Sequence, residues 1–244
     1  MHRPVPGATI ALMRVETHLP LGKVDPGTRE TERPVVVDRV PTDAGLVESL
    51  GFDGLVLTET KEDPFVVMAM AAATTERISL TTAVAIAFPR SPTVTAMTAW
   101  TLQRGSRGRF VLGLGTQVKG HIERRFGLPW SAPGPWIHEY VAAVRAVWDT
   151  WQNGTPLDFH GDHYQLTLMN PLFDPGPIEW PEIPIHLAAV NAHMARVGGR
   201  VQMESVRTPF ALAATSTRSS DRQSTSEQAN RGEHRRRWRW WRAL

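Results

Sequence analysis

Residues 51–115 read GFDGLVLTETKEDPFVVMAMAAATTERISLTTAVAIAFPRSPTVTAMTAWTLQRGSRGRFVLGLG, and their alternation of apolar runs with helix-start signals decides the fold class. Gly54-Leu55-Val56-Leu57 is a short apolar run of the kind buried on both faces of a sheet. Asp63-Pro64 pairs an N-cap with a proline at the first helical position, opening an Ala/Met-rich helix from Phe65 to Thr75. Ile78 to Phe88, rich in β-branched residues, reads as the next strand. Ser91-Pro92 repeats the cap-plus-proline signal before a helix through Met97 and Leu102, and Arg109 to Gly113 is another strand. Such repetition predicts an α/β protein with a parallel sheet and right-handed crossovers, either closed as a barrel or open and doubly wound.

Working outward, Val15 to His18 supplies an opening strand. Thr42 or Asp43 is the expected cap of a helix carrying Leu46, Val47 and Leu50 and ending at Gly51. Downstream, Tyr140, Val144, Val147, Trp148 and Trp151 form one stripe of an amphipathic helix. Leu157 to Leu168 reads as a hairpin turning at Gly161-Asp162, followed by a proline-rich connection from Pro171 to Pro184. Ile183 to Val190 is a fifth strand, and Asn191 can cap a helix through His193, Met194 and Val197. This organises the chain as a partial barrel over 13–198 with an insertion at about 119–182, after an N-terminal extension over 1–12.

Beyond Val206 there is no Val, Ile, Met or Tyr. Residues 205–244 are therefore expected to be a disordered, Arg/Ser/Trp-rich tail, too poor in apolar surface to offset its ordering entropy. A departure from the natural reading frame between about Gly198 and Val206 would produce such a mixture. The net charge of +3 also belongs to this end. From Val201 onward there are nine Arg against four acids, so the first 200 residues, with 18 basic and 20 acidic side chains, are slightly acidic. The Arg/Trp-rich terminus has two functional readings, nucleic-acid contact or a membrane interface, and a bland one, an unselected tail; no specific nucleic acid and no membrane are expected as partners.

At 244 residues and 41% hydrophobic the chain can bury a core, and it lacks any apolar run approaching the ~18 residues of a membrane span. No secretory h-region is present near the N-terminus, so a cytoplasmic protein is expected. The absence of cysteine excludes disulfides, iron–sulfur clusters, thiolate zinc sites and a cysteine nucleophile.

The motif Gly113-Leu114-Gly115-Thr116-Gln117-Val118-Lys119-Gly120 fails as a dinucleotide fingerprint, because valine stands at 118. It also fails as a P-loop, because His121 follows Gly120. Two readings remain: small residues that let a flat cofactor ring or a phosphate approach the backbone, or a tight strand-to-loop turn. His160-Gly161-Asp162-His163 suggests metal ligation at first sight, but Gly-Asp is hairpin-turn chemistry and no metal is expected. Glu59, Thr60 and Lys61 follow the second strand, the end where chemistry collects in these folds, so Glu59 is a candidate base or hydrogen-bond acceptor. It is otherwise a charged loop residue leading into the next cap. His18 ends the first strand by the same logic. Lys119, His121, Arg124 and Arg125 form a basic cluster that either meets an acidic group or is a solvated helix face.

Several of these motifs, in this order, resemble the luciferase-like monooxygenase superfamily. They are Gly51-Phe52-Asp53-Gly54, Ala83 to Pro92, Gly108 to Gly115, Phe159-x-Gly-x-x-Tyr164 and Pro184 to Ala189. More narrowly the sequence is similar to the branch that uses coenzyme F420 in place of FMN. The resemblance implies a TIM-type (β/α)8 barrel, here incomplete at about five βα units, with the ring at the C-terminal mouth of the strands. It implies a bulge with a non-prolyl cis peptide at Thr82, Ala83 or Val84, and ring contacts from Thr60, Gly113, Gly115, Thr116 and Gln117. Glu59, His18 and His121 are the candidates for acid–base work, since the acid-then-histidine pair of many F420 relatives reads Glu59-Thr60 here. The implied activity is oxidoreductase or monooxygenase chemistry on a small organic substrate, in a homodimer as in many relatives. The alternative is a truncated, inactive remnant of such an enzyme.

Overall fold

The computed structural model describes residues 13–21 and 35–205. The expectations for the 1–12 extension and for the tail beyond residue 205 lie outside them. Strands β1 (Glu16–His18), β2 (Gly54–Leu57), β3 (Ser79–Thr82), β4 (Ala85–Ile86), β5 (Phe110–Gly115) and β8 (Ile185–Leu187) form one sheet. Every pairing in it is parallel: β1 with β2, β2 with β3, β3 and β4 with β5, and β5 with β8. The intervening short strands β6 (Phe159–His160) and β7 (Gln165–Leu166) make a separate antiparallel hairpin.

Helices α1 (Val40–Ser49), α2 (Pro64–Ala72), α3 (Pro92–Gly105), α4 (Lys119–Arg124), α5 (Pro133–Asn153) and α6 (Ala192–Ser205) separate the strands. Successive long helices pack side by side, α1 on α2, α2 on α3, α3 on α5 and α5 on α6. Between sheet and helices lie Leu55, Leu57, Leu80, Phe110, Leu112 and Leu114 with Met68, Ala96, Ala99, Trp100, Val144 and Val147, all buried. Within 119–182, α5 packs along α3 and provides the crossover from β5 to β8. The stripe expected for it, Tyr140, Val144, Val147, Trp148 and Trp151, is buried throughout.

The predicted caps are present at three helices. Asp63 Oδ1 accepts from the backbone N–H of Phe65 and Val66, Ser91 Oγ from Val94, and Asn191 Oδ1 from Met194. The cap expected at Thr42 or Asp43 is not. α1 starts at Val40, after a 3-10 turn over Val37–Arg39, and Arg39 at its N-cap makes no side-chain capping bond. Pro41 explains the earlier start, because its missing N–H costs nothing in the first turn and its φ is already helical. The buried face is Val40, Ala44, Val47 and Glu48, whereas Leu46 and Leu50 face solvent. Gly51, at φ +83°, takes the left-handed position just past the helix end.

Two charged side chains secure the end of the sheet where the strands begin. Arg109 donates to Ser106 O, Thr75 Oγ1, Thr75 O, Ile78 O and Ala72 O at 2.7–3.4 Å. Carbonyls beyond the last turn of α2, which have no intrahelical partner, are thereby satisfied. Buried Glu48 accepts from the backbone N–H of Glu76 and of Arg77, at 2.8 and 3.1 Å for Oε2, holding the turn from α2 into β3.

Burial opposes ionisation of Glu48, but those two N–H groups and the nearby Arg77 charge outweigh it and hold its pKa below the ordinary value. A depressed carboxylate pKa stabilises the fold above the unfolded pKa and loses that contribution as pH falls through the folded value. Glu48→Gln is therefore expected to cost about 1 kcal/mol at pH 7. In urea titrations the difference from the parent should shrink steadily below about pH 4.5; a pH-independent difference would contradict this assignment.

Candidate active site

The C-terminal ends of the parallel strands meet around a bulge between β3 and β4. Leu80 and Thr81 pair with Phe110 and Val111, but Ala85 and Ile86 pair with Leu114 and Gly115, so β3–β4 carries one residue more than β5 over the same span. The strand read from sequence as continuous from Ile78 to Phe88 is thus split. The extra residue lies at Thr82–Val84, and the Ala83–Val84 peptide is cis. Thr82 Oγ1 donates to Gly113 O at 2.8 Å and accepts from Gly113 N at 2.9 Å, which stitches the bulge to β5.

Gly113 and Gly115 owe their identity to this bulge. A Cβ on Gly113 would overlap the Thr82 carbonyl oxygen, and one on Gly115 would meet Val84 Cγ2. The space that the sequence reading offered to a ring or a phosphate is occupied by the neighbouring strand.

Three more segments converge on the same place. His18, at the end of β1, receives the Thr58 backbone N–H at Nε2 (3.2 Å). Thr58 Oγ1 lies 2.9 Å from that nitrogen and 2.8 Å from Ala83 O, to which it can donate. A backbone N–H cannot rotate away, so Nε2 is the acceptor and the imidazole proton sits on Nδ1. That Nδ1 is buried and closes no hydrogen bond among the described residues, although the Leu19 backbone stands near enough to the ring to favour its charged form in part. Burial lowers the His18 pKa, and the Leu19 backbone offsets this only in part, so the neutral ring is favoured.

Glu59 follows Thr58. Its N–H lies 3.4 Å from Val84 O, and its Oε2 accepts from Ile86 N–H and from Arg90 Nη1, both at 2.7 Å. Arg90 also donates to Ile86 O (2.9 Å) and Asp63 Oδ2 (2.8 Å), and its guanidinium lies over the Phe65 ring. Burial alone would lower the Arg90 pKa; the two carboxylates more than reverse it.

Of the residues singled out from sequence, His18, Glu59, Thr82, Ala83, Val84, Gly113 and Gly115 are brought together here. Thr60 is exposed beside Glu59. Thr116 and Gln117 form a local turn after β5, with Thr116 Oγ1 donating to Gln117 O, Gln117 at φ +58° and its Oε1 accepting from Val118 N–H. His121 is exposed on α4, where Lys119 pairs with Glu123 and Arg125 lies over Phe126. None of the bonds described here links it to the bulge. His160 bonds Asp158 and Gln165, whereas His163 stacks on Trp136, so the two histidines do not converge. Sequence reasoning missed two residues. Thr58 carried no signal, and Arg90 stood unweighed within the quoted segment Ala83 to Pro92.

An open cleft of about 580 Å³ lies elsewhere, between α5 and the hairpin. Glu139 on its wall already accepts the turn N–H groups of Asp162, His163 and Tyr164 at 2.7–3.0 Å. The polar groups at the strand ends are the better candidate site.

Comparison with known proteins gives the chain a family and a fold. The sequence profile described as luciferase-like monooxygenase matches residues 19–235. An uncharacterised protein of Mycobacterium tuberculosis is 44% identical over 155 residues, 64% of this chain and 46% of the relative. Another protein of that organism, provisionally named a coenzyme F420-dependent oxidoreductase, is 34% identical over 122 residues, 50% of this chain and 34% of the relative. These matches span less than half the length of either relative. Among solved structures, the FMN-bound oxygenating constituent of 3,6-diketocamphane monooxygenase from Pseudomonas putida superposes with a TM-score of 0.60 at 18% identity. That superposition covers 77% of this chain and 55% of the other.

The bulge geometry makes a graded prediction. Gly113→Ala collides with a backbone carbonyl that has nowhere to move, so it should cost roughly 3 kcal/mol. Gly115→Ala meets a side-chain methyl that can rotate away and should cost about 1 kcal/mol. Equal losses in chemical denaturation would show that the bulge does not set the glycine requirement.

Proposed function

The chain belongs to the luciferase-like monooxygenase family, and from that premise we propose that it is an F420-dependent oxidoreductase acting on a small organic substrate. FMN is the alternative cofactor. The name of the M. tuberculosis relative supports F420, while the FMN-bound neighbour supports only the fold at its low identity. A cytoplasmic setting goes with this reading; among the described residues no helix is long and apolar enough to cross a membrane.

The observation that carries the reading is the unpartnered, buried Nδ1 of His18 beside the bulge. A buried N–H donor without an acceptor is costly. A flavin or deazaflavin ring, whose polar edge is rich in acceptor oxygens and nitrogens, is the kind of group that would satisfy it. The residues at the strand ends therefore fit the ring part of such a cofactor, with the bulge Thr82–Val84 as its backing and His18 as a donor. When bound, that group supplies the hydride or oxygen chemistry. The chain's own contribution is to hold the ring against a fixed backbone, to keep water from its buried face, and to present one proton at His18 Nδ1. Thr58 fixes the tautomer that makes this donor available, through its N–H to Nε2.

The test is a side-by-side fluorescence titration of the full chain with F420 and FMN. Saturable micromolar binding of F420 is expected, weakened about tenfold in His18→Phe. Protonating Nε2 would break the bond from Thr58, and the His18 pKa is lowered by burial, so affinity should be flat at neutral pH and fall only at a pH below the ordinary imidazole range. Binding of neither cofactor by folded protein would overturn the reading in favour of an inactive remnant.

A further inference from the structure

Ile86 is the residue through which the bulge re-enters the sheet. On one side β4 pairs with β5. On the other side β2 has already ended at Leu57, and no strand among the described residues stands beside Ile86 there. Both backbone groups of Ile86 are nevertheless satisfied, the N–H by Glu59 Oε2 (2.7 Å) and the carbonyl by Arg90 Nη1 (2.9 Å). The two side chains are themselves joined at 2.7 Å and are largely buried, 11% and 19% exposed. A buried strand edge cannot go without partners, and this ion pair does the work of the missing neighbour. Through Arg90 Nη2 it is tied to Asp63, the N-cap of α2, so the bulge is referenced to a helix end as well as to the sheet.

We propose that Glu59 and Arg90 are a positioning pair, a side-chain substitute for a strand, that sets the backbone of Thr82–Ile86 and so the seat of the cofactor ring. Glu59 is then not the proton-transfer group of the reaction. A proton placed on Oε2 would displace either the Ile86 N–H or the guanidinium, and releasing either one frees the bulge. The role of the pair toward the ring rests on the preceding reading of the site, but its role toward the backbone does not.

Two readouts keep these apart. Amide hydrogen exchange on the full chain without cofactor reports the backbone alone. Glu59→Ala should speed exchange of the Ile86 N–H about tenfold or more relative to β5 amides. Glu59→Gln, which keeps an acceptor for both donors, should restore most of the protection. Unchanged Ile86 exchange in Glu59→Ala overturns the proposal whether or not any cofactor binds. If the alanine variant does not fold, Arg90→Lys is measured instead; it can satisfy Glu59 but not Glu59, Asp63 and Ile86 O together, and should show a partial loss of protection. Cofactor titration and turnover then separate positioning from proton transfer. For a positioning pair, the F420 dissociation constant rises about tenfold in Glu59→Ala and is rescued in Glu59→Gln, with the pH profile of turnover unmoved. A Glu59→Gln variant that binds F420 as the parent does, yet loses turnover together with one limb of its pH profile, would overturn it and make Glu59 the proton-transfer group. Failure of the parent chain to bind either cofactor sinks the functional reading only, and the exchange result still decides whether the pair holds the bulge.

Discussion

An extra residue in one strand of a parallel pair must put its backbone somewhere, and in this protein it goes over the glycines of the neighbouring strand. The Thr82 carbonyl lies where a Cβ of Gly113 would be, and the Val84 side chain lies over Gly115. Everything at the strand ends is arranged around that displacement. Thr82 is stitched to Gly113, Thr58 reaches the Ala83 carbonyl, and Glu59 with Arg90 catches Ile86 as the strand resumes. A bulge redirects backbone groups at the cost of ladder bonds, and here side chains from the loops after β2 and β4 replace the bonds that are lost.

The two ends of the sheet solve different problems. Where the strands begin, Arg109 and Glu48 are committed to backbone groups, five donors to carbonyls and a hydroxyl in one case and a carboxylate to two N–H groups in the other. Among the described residues two buried side-chain atoms are left over, His18 Nδ1 where β1 ends and Trp151 Nε1 near the end of α5. Buried polar groups are nearly always paired, and of these two His18 Nδ1 is the one beside the bulge at the strand ends. That end is also where active sites generally collect in parallel α/β folds.

The residue types in the sequence were a good guide to place and a poorer guide to role. Glu59 reads as a base or a hydrogen-bond acceptor from its place at the end of a strand, and one of its two oxygens, Oε2, accepts from a guanidinium and a backbone N–H. Gly113 and Gly115 read as room for a ligand, and the room is taken by the protein. His121 shares the loop side of the sheet but sits on a solvated helix. Spacing along a chain reports which end of a strand a residue occupies; it does not report which neighbour arrives there first.

The sequence by itself determined the strand and helix alternation, the parallel sheet, the caps at Asp63, Ser91 and Asn191, the hairpin turn and the buried stripe of α5. All of these follow from interactions within a few residues or from a fixed hydrophobic period, so neighbours in sequence suffice to read them. The start of α1 departs from its expected cap because two local signals competed, and Pro41 prevailed over Thr42 and Asp43. Tertiary structure alone decided the working parts of the site. His18 meets Thr58 across 40 residues, and Glu59 meets Ile86 and Arg90 across 27 and 31. Those meetings exist only once three parallel strands lie side by side, because each strand sets merely the height of its last residue, and the register between strands sets who faces whom.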